Sequence, residues 1–178
     1  LKGEFKEMNH MMLDALNQQI NEEMYSAYLY LSMVAYFHSM KMPGAAHWMV
    51  AQYKEELIHA EKIIAYIMDR GAIFKLREIK EPTNHWSSPI DAFKAAYAHE
   101  QHITGCINNL YDIAMREKDY PTVQFLQWFI NEQVEEEANS SQIVDDFERI
   151  GHDARGLFML DRELASRPMP VPAPTSKE

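Results

Sequence analysis

Glu55-Glu56-Leu57-Ile58-His59 and Glu132-Gln133-Val134-Glu135-Glu136-Glu137 decide how this chain is read. At about 100° per residue, Glu56 and His59 stand on one helix face about one turn apart, and so do Gln133 and Glu136. That is the spacing of a metal-ligand pair. Each pair also interrupts a row of residues that would otherwise be core, so the rest of the chain has to account for buried carboxylates.

Working outward, the row Met49, Gln52, Glu56, His59, Ile63, Ile67 predicts a helix from about Pro43 to Arg70, stopped by Gly71. The row Leu126, Phe129, Gln133, Glu136, Ser140, Ile143, Phe147 predicts another over about 121–150, closed by Gly151. Upstream, Leu13, Leu16, Ile20, Ala27, Leu31 and Val34 mark a first helix from about Asn9 to His38, with Glu23 on the same line. Ser88-Pro89-Ile90-Asp91 is a capping box that opens a third helix, whose inner row reads Phe93, Tyr97, Glu100, Ile103, Ile107, Leu110.

Residues 72–88 show no sustained period. A connection of that length can carry the chain along a whole bundle, so that the third helix runs parallel to the second. The expected fold is all-α: a four-helix up-down-down-up bundle with a long crossover between helices 2 and 3, plus a short fifth helix over about Ala154 to Ala165. Helices of roughly 28 to 30 residues are about 42–45 Å long. One domain is expected over residues 1–166. Residues 167–178 hold four prolines and few bulky apolar side chains, which predicts a disordered tail.

A hydrophobic content of 47% and only 6 glycines in 178 residues fit a globular helical protein. The formal charge of -10 disfavours nucleic acid and anionic membranes and suits cationic partners, metal ions included. Cys106 is the single cysteine, so no intrachain disulfide, CxxC pair or thiolate zinc or iron–sulfur cluster is expected. The first residues lack an apolar signal core and no apolar run approaches ~20 residues, which points to a cytoplasmic protein.

A lone acid on an apolar row can snorkel to water or pair with a base. Four of them, Glu23, Glu56, Glu100 and Glu136, are harder to place, because burying an ionised carboxylate costs several kcal/mol. No lysine or arginine interrupts any inner row. With His59 and Gln133 counted as neutral, two divalent cations cancel the four negative charges. Oxygen donors with one imidazole suit iron or manganese, and glutamates combined with Glu-x-x-His are the ligand pattern of di-iron bundles. Helical phase sets His47 and His102 away from the acids, and His10, His38, His85, His99 and His152 have no carboxylate at ligand spacing. Only His59 qualifies.

Asn21-Glu22-Glu23-Met24-Tyr25-Ser26, Glu55-Glu56-Leu57-Ile58-His59, His99-Glu100-Gln101, Asp119-Tyr120-Pro121-Thr122, Phe125-Leu126-Gln127-Trp128-Phe129 and Glu132 to Glu137 together resemble the non-haem bacterial and archaeal ferritins, over almost all of residues 9–166. The resemblance implies that Glu23, Glu56 and His59 hold a first iron, that Glu56 bridges, and that Glu100, Gln133 and Glu136 serve a second. It implies that Tyr30 stands beside the oxidation site, and that Glu55, Glu132 and Glu135, with Glu136, bind a third iron; a solvated acidic face is the alternative for these three. Bacterioferritins carry Glu-x-x-His in the fourth helix and a haem-ligating methionine after the bridging glutamate. Here the corresponding residues are Gln133-x-x-Glu136 and Leu57, so no haem is expected.

The expected function is iron storage with ferroxidase activity, oxidising Fe(II) with dioxygen or hydrogen peroxide, and the resemblance implies a hollow cage of twenty-four copies. A soluble iron or manganese oxidase or catalase without storage is the competing reading, and a haem-binding bacterioferritin is another. Mini-ferritins place their site between subunits, whereas the set here is complete within one chain.

Overall fold

A computed structural model describes residues 8–171, and these form five helices: α1 (His10–Ser39), α2 (Pro43–Asp69), α3 (Pro89–Arg116), α4 (Tyr120–Ile150) and α5 (Ala154–Leu164). There is no strand among the described residues. Residues 1–7 and 172–178, which include most of the expected tail, lie outside the described residues.

Local chemistry sets the helix boundaries. Asn9 caps α1 by accepting from Met11 N–H, and Asp119 caps α4 by accepting from Thr122 N–H. Ser88 caps α3 by accepting from Asp91 N–H at 3.3 Å, while its hydroxyl donates to the Asp91 carboxylate at 2.7 Å. Gly71 and Gly151 follow α2 and α4 at φ +72° and +59°, a region that penalises any side chain.

The crossover is fastened along α1 at four points. Arg77 bonds Asp14 at 2.6 Å, Lys75 N–H donates to Asn17 at 2.8 Å, Asn21 donates to the Glu78 carbonyl at 3.0 Å, and Ser32 donates to the Thr83 carbonyl at 2.7 Å. The chain therefore leaves α2 near the start of α1 and travels to its far end before entering α3. A short turn reverses α1 into α2 and another reverses α3 into α4, which yields the up-down-down-up bundle.

The short fifth helix docks through a cap in trans. Met42 offers α2 no side-chain cap, and the Asp161 carboxylate of α5 takes its place, accepting from Gly44 N–H at 3.1 Å and Ala45 N–H at 2.8 Å. Residue 44 has to be glycine, since a Cβ there would sit 1.6 Å from the Asp161 carbonyl oxygen. Gly44→Ala should therefore cost about 1–3 kcal/mol by overpacking, read as a lower melting temperature together with faster proteolytic cleavage within α5.

The inner rows expected for α2 and α4 are buried throughout. In α3, Tyr97 is half-buried and Ala96 is buried in its place. The first helix needs a larger correction: Leu31 is 42% exposed and Val34 half-buried, whereas Tyr30, Met33 and Phe37 are fully buried. The reason is α3, because Phe37 packs on Phe93 with ring centroids 5.1 Å apart and Tyr30 bonds Glu100. Periodicity within a single helix does not reveal on which side its neighbour will pack.

Two apolar clusters fill the bundle. One gathers Met33, Phe37, Trp48, Phe93 and Phe147, the other Leu16, Ile63, Ile107, Leu126 and Phe129. In chain order the polar residues Glu23, Glu56, Glu100 and Glu136 fall between the members of these two clusters on each helix, so one polar layer separates two dry ones.

Candidate metal centre

Every helix of the bundle supplies that layer. Glu23 comes from α1, Glu56 and His59 from α2, Glu100 from α3, and Gln133 and Glu136 from α4, and all six are almost completely buried. His59 Nδ1 lies 3.3 Å from a Glu56 oxygen and 3.9 Å from Glu23 Oε2. Glu23, Glu56 and His59 can each direct one ligand atom into a space where those atoms lie within 4.8 Å of one another.

On the other side, Gln133 donates to the Glu100 carbonyl at 3.2 Å and to its carboxylate at 3.3 Å. Tyr30 donates its hydroxyl to Glu100, from a position against the edge of His99. The walls are aromatic where His59 meets Trp128 and Phe129, at 5.4 and 6.0 Å between ring centroids.

Two supports were not assigned from the sequence. Gln19 donates to Glu23 at 2.8 Å, and Gln52 donates to Glu136 at 2.9 Å. Both are buried, and both stand one turn before an acid, as Gln19-x-x-x-Glu23 and Gln52-x-x-x-Glu56. That spacing could have pointed to Gln19, whose partner is the acid one turn on, but not to Gln52, whose partner Glu136 stands on α4. Each takes up one carboxylate oxygen and fixes the direction of the other.

The remaining atoms find no such partner. Glu23 Oε2, Glu56 Oε1, His59 Nε2 and Gln52 Oε1 are buried without a hydrogen bond. Buried polar atoms left unpaired are costly and uncommon, and three of these four belong to the residues Glu23, Glu56 and His59 that can share one ion. The donor set is hard oxygen with a single imidazole, which suits iron or manganese rather than copper.

The carboxyl groups respond electrostatically. Burial, and next the Glu56 charge, pushes Glu23 up to about 8, and burial with Glu100 and Glu55 pushes Glu136 to about 8. Glu56 is driven well above the usual carboxylate range by burial and then by Glu100 and Glu136. Glu100 is raised by burial, against the opposing hydrogen bonds from Tyr30 and Gln133. This refines the charge count, because without metal the layer is made tolerable by protons, which a cation has to displace.

A second acidic group flanks the first: Glu55, Glu132 and Glu136 can place ligand atoms within 4.8 Å of one another. Glu135, expected with them, is exposed and outside that group. Arg167 holds Glu55 at 2.6 Å and lies 4.4 Å over the Trp48 ring. The first described residue of the expected tail is thus anchored on the bundle.

Comparison with known proteins gives a uniform result. The Ferritin family, a ferritin-like domain, matches residues 13–150. The chain belongs to the non-haem ferritins. It is 41% identical over 160 residues to the bacterial non-heme ferritin of Staphylococcus saprophyticus, covering 90% of this chain and 96% of the relative. The corresponding protein of Staphylococcus haemolyticus is 40% identical over 156 residues, covering 88% and 94%. Among solved structures, an open-pore ferritin of the archaeon Archaeoglobus fulgidus superposes with a TM-score of 0.90 at 47% identity, covering 91% of this chain and 99% of that one. A closed form of that ferritin, engineered by mutagenesis, gives 0.90 and 47%, covering 92% and 99%. Iron storage and an oxidoreductase role follow from membership of the ferritin family, and the storage-free oxidase is not favoured.

Proposed function

We propose that this ferritin is a ferroxidase that binds two Fe(II) ions per chain in the buried layer and delivers Fe(III) to a mineral within a cage. One observation carries the reading: four buried carboxylates converge from four helices, with Glu23 Oε2, Glu56 Oε1 and His59 Nε2 left without partners. Glu23, Glu56 and His59 hold the first iron, Glu56 bridges, and Glu100, Gln133 and Glu136 hold the second. Tyr30 anchors Glu100 from α1. Each ferrous ion gives up one electron, and the pair reduces dioxygen to the level of peroxide, or peroxide to water. Anionic oxygen donors stabilise Fe(III) over Fe(II), which sets that direction. A third iron binds at Glu55, Glu132 and Glu136, beside the Arg167 guanidinium that holds one Glu55 oxygen.

Gln133 brings no charge, so the second ion is held more loosely and moves on after oxidation. Gln133→Glu should slow turnover under excess iron by about 10-fold with the first turnover preserved. A turnover equal to the parent's would sink this role.

Assembly into twenty-four copies is supported by apolar side chains that the single chain leaves in water. Tyr28, Leu31, Ile73 and Leu76 are exposed on α1 and the crossover, and Phe158 and Met159 on α5. Such surface is the usual mark of contacts between copies. The Archaeoglobus neighbours are described as open-pore and closed ferritins, which fits a cage. Among the described residues no helix is long and apolar enough to cross a membrane, and we place the protein in the cytoplasm.

The test is aerobic addition of excess Fe(II) to the metal-free protein, following ferric absorbance and then particle mass. Storage predicts uptake far beyond two ions per chain into one large particle. Uptake that halts near two ions, or a particle of one or two chains, overturns it. Alanine at Glu56 or His59 should remove the fast phase.

A further inference from the structure

Outside the di-iron layer, Glu22 of α1 meets His102 and Cys106 of α3. Their carboxylate oxygen, ring nitrogen and sulfur lie within 4.8 Å of one another. We propose that these three side chains bind one divalent cation of the zinc class, at a site separate from the ferroxidase centre.

Geometry supports the assignment first. His102 and Cys106 are four residues apart on one helix face, and Glu22 reaches them from the neighbouring helix. Glu22 Oε2 is 3.1 Å from His102 Nε2, and that nitrogen is 3.6 Å from Cys106 Sγ. A tetrahedron with zinc–ligand bonds of ~2.0–2.3 Å has edges of about 3.3–3.8 Å. Two of the three donor separations therefore stand close to what a tetrahedral ion would impose, and the third lies within 4.8 Å.

The hydrogen bonding points the same way. His102 Nε2 faces both the acid oxygen and the sulfur, and one ring nitrogen cannot satisfy both with a single proton. Gln18 donates to the other Glu22 oxygen, Oε1, at 2.8 Å, which leaves Oε2 directed at the histidine. A cation would use the nitrogen lone pair, the acid oxygen and the sulfur together. Binding releases the thiol proton to solvent and forms a metal–sulfur bond, with no change of oxidation state.

Ligand chemistry separates this site from the centre. The ferroxidase layer presents oxygen and one nitrogen, whereas this one presents nitrogen, oxygen and sulfur, a set that prefers zinc to hard cations. Burial, and next the Glu22 and Glu23 charges, raises the Cys106 thiol to about 11. The free side chain is therefore a weak nucleophile, and the sulfur becomes a ligand only when a cation offsets those charges.

The experiment uses the assembled metal-free protein, titrated anaerobically with Co(II) as a spectroscopic substitute for Zn(II). The expected result is a near-ultraviolet thiolate-to-cobalt band that saturates at about one ion per chain and is bleached by Zn(II). It should persist in Glu56→Ala, which disables the di-iron centre, disappear in Cys106→Ser, and need at least about 10-fold more Co(II) in His102→Ala. In the unmodified protein, Zn(II) should slow the reaction of Cys106 with a thiol reagent by at least about 10-fold. Absence of the band from the unmodified protein, an unshifted titration in His102→Ala, or an unprotected thiol would each overturn the site.

Discussion

Glu56→Gln should slow Fe(II) oxidation by at least about 100-fold and, at the same time, leave the metal-free protein more stable at neutral pH. Both effects have one cause. Glu56 sits where the fields of Glu100 and Glu136 add to burial, which drives its carboxyl well above the usual range. Its Oε1 has no hydrogen-bond partner and its other oxygen faces His59 at 3.3 Å. A neutral amide of the same shape needs no proton to be buried there, so at neutral pH the empty layer no longer bears the cost of protonating residue 56. In the proposed site it also removes the anion that two irons would share, and losing a ligand costs more than the 10–100-fold usual for a supporting residue. Stopped-flow absorbance and a thermal melt on the same preparation read the two effects. A variant that loses activity and stability together would mean that Glu56 is structural.

The second large effect is on pH dependence. Glu23 and Glu136 are raised from near 4.5 to about 8 in the folded chain, first by burial. Between those values the folded chain holds protons that the unfolded chain has released, so stability falls as pH rises. Their contribution is complete below about 4.5 and is lost as pH passes about 8. Melting temperatures of the metal-free protein should therefore decline by several degrees across this window. Saturating anaerobic Fe(II) should reverse the slope, because the ions displace those protons and bind more tightly as they leave. Glu23→Gln with Glu136→Gln supplies the reference for all other titrations. If its slope matches the parent's, the layer is not the source.

Much of the architecture was legible before any coordinates. Gly71 and Gly151 end their helices where expected, Ser88 caps where expected, and the inner rows of α2 and α4 are buried residue for residue. Glu23, Glu56, His59, Glu100, Gln133 and Glu136 are readable as one set because each interrupts an apolar row near the middle of a helix. Periodicity reports such features well, since spacing along one helix fixes direction around its axis.

What the sequence determined by itself was which faces of α2 and α4 are apolar, where the helices stop, and that uncompensated acids lie on the inner faces. Only the tertiary structure decided the relations between helices: that Leu31 turns outward, that Gln19 and Gln52 each occupy one carboxylate oxygen, that Arg167 returns to Glu55, and that His102 finds its acid on α1. The physical reason is that helical phase is local, carried by 1.5 Å and 100° per residue. Contact between helices depends instead on packing between residues far apart in the chain, and His102 meets Glu22 across eighty positions.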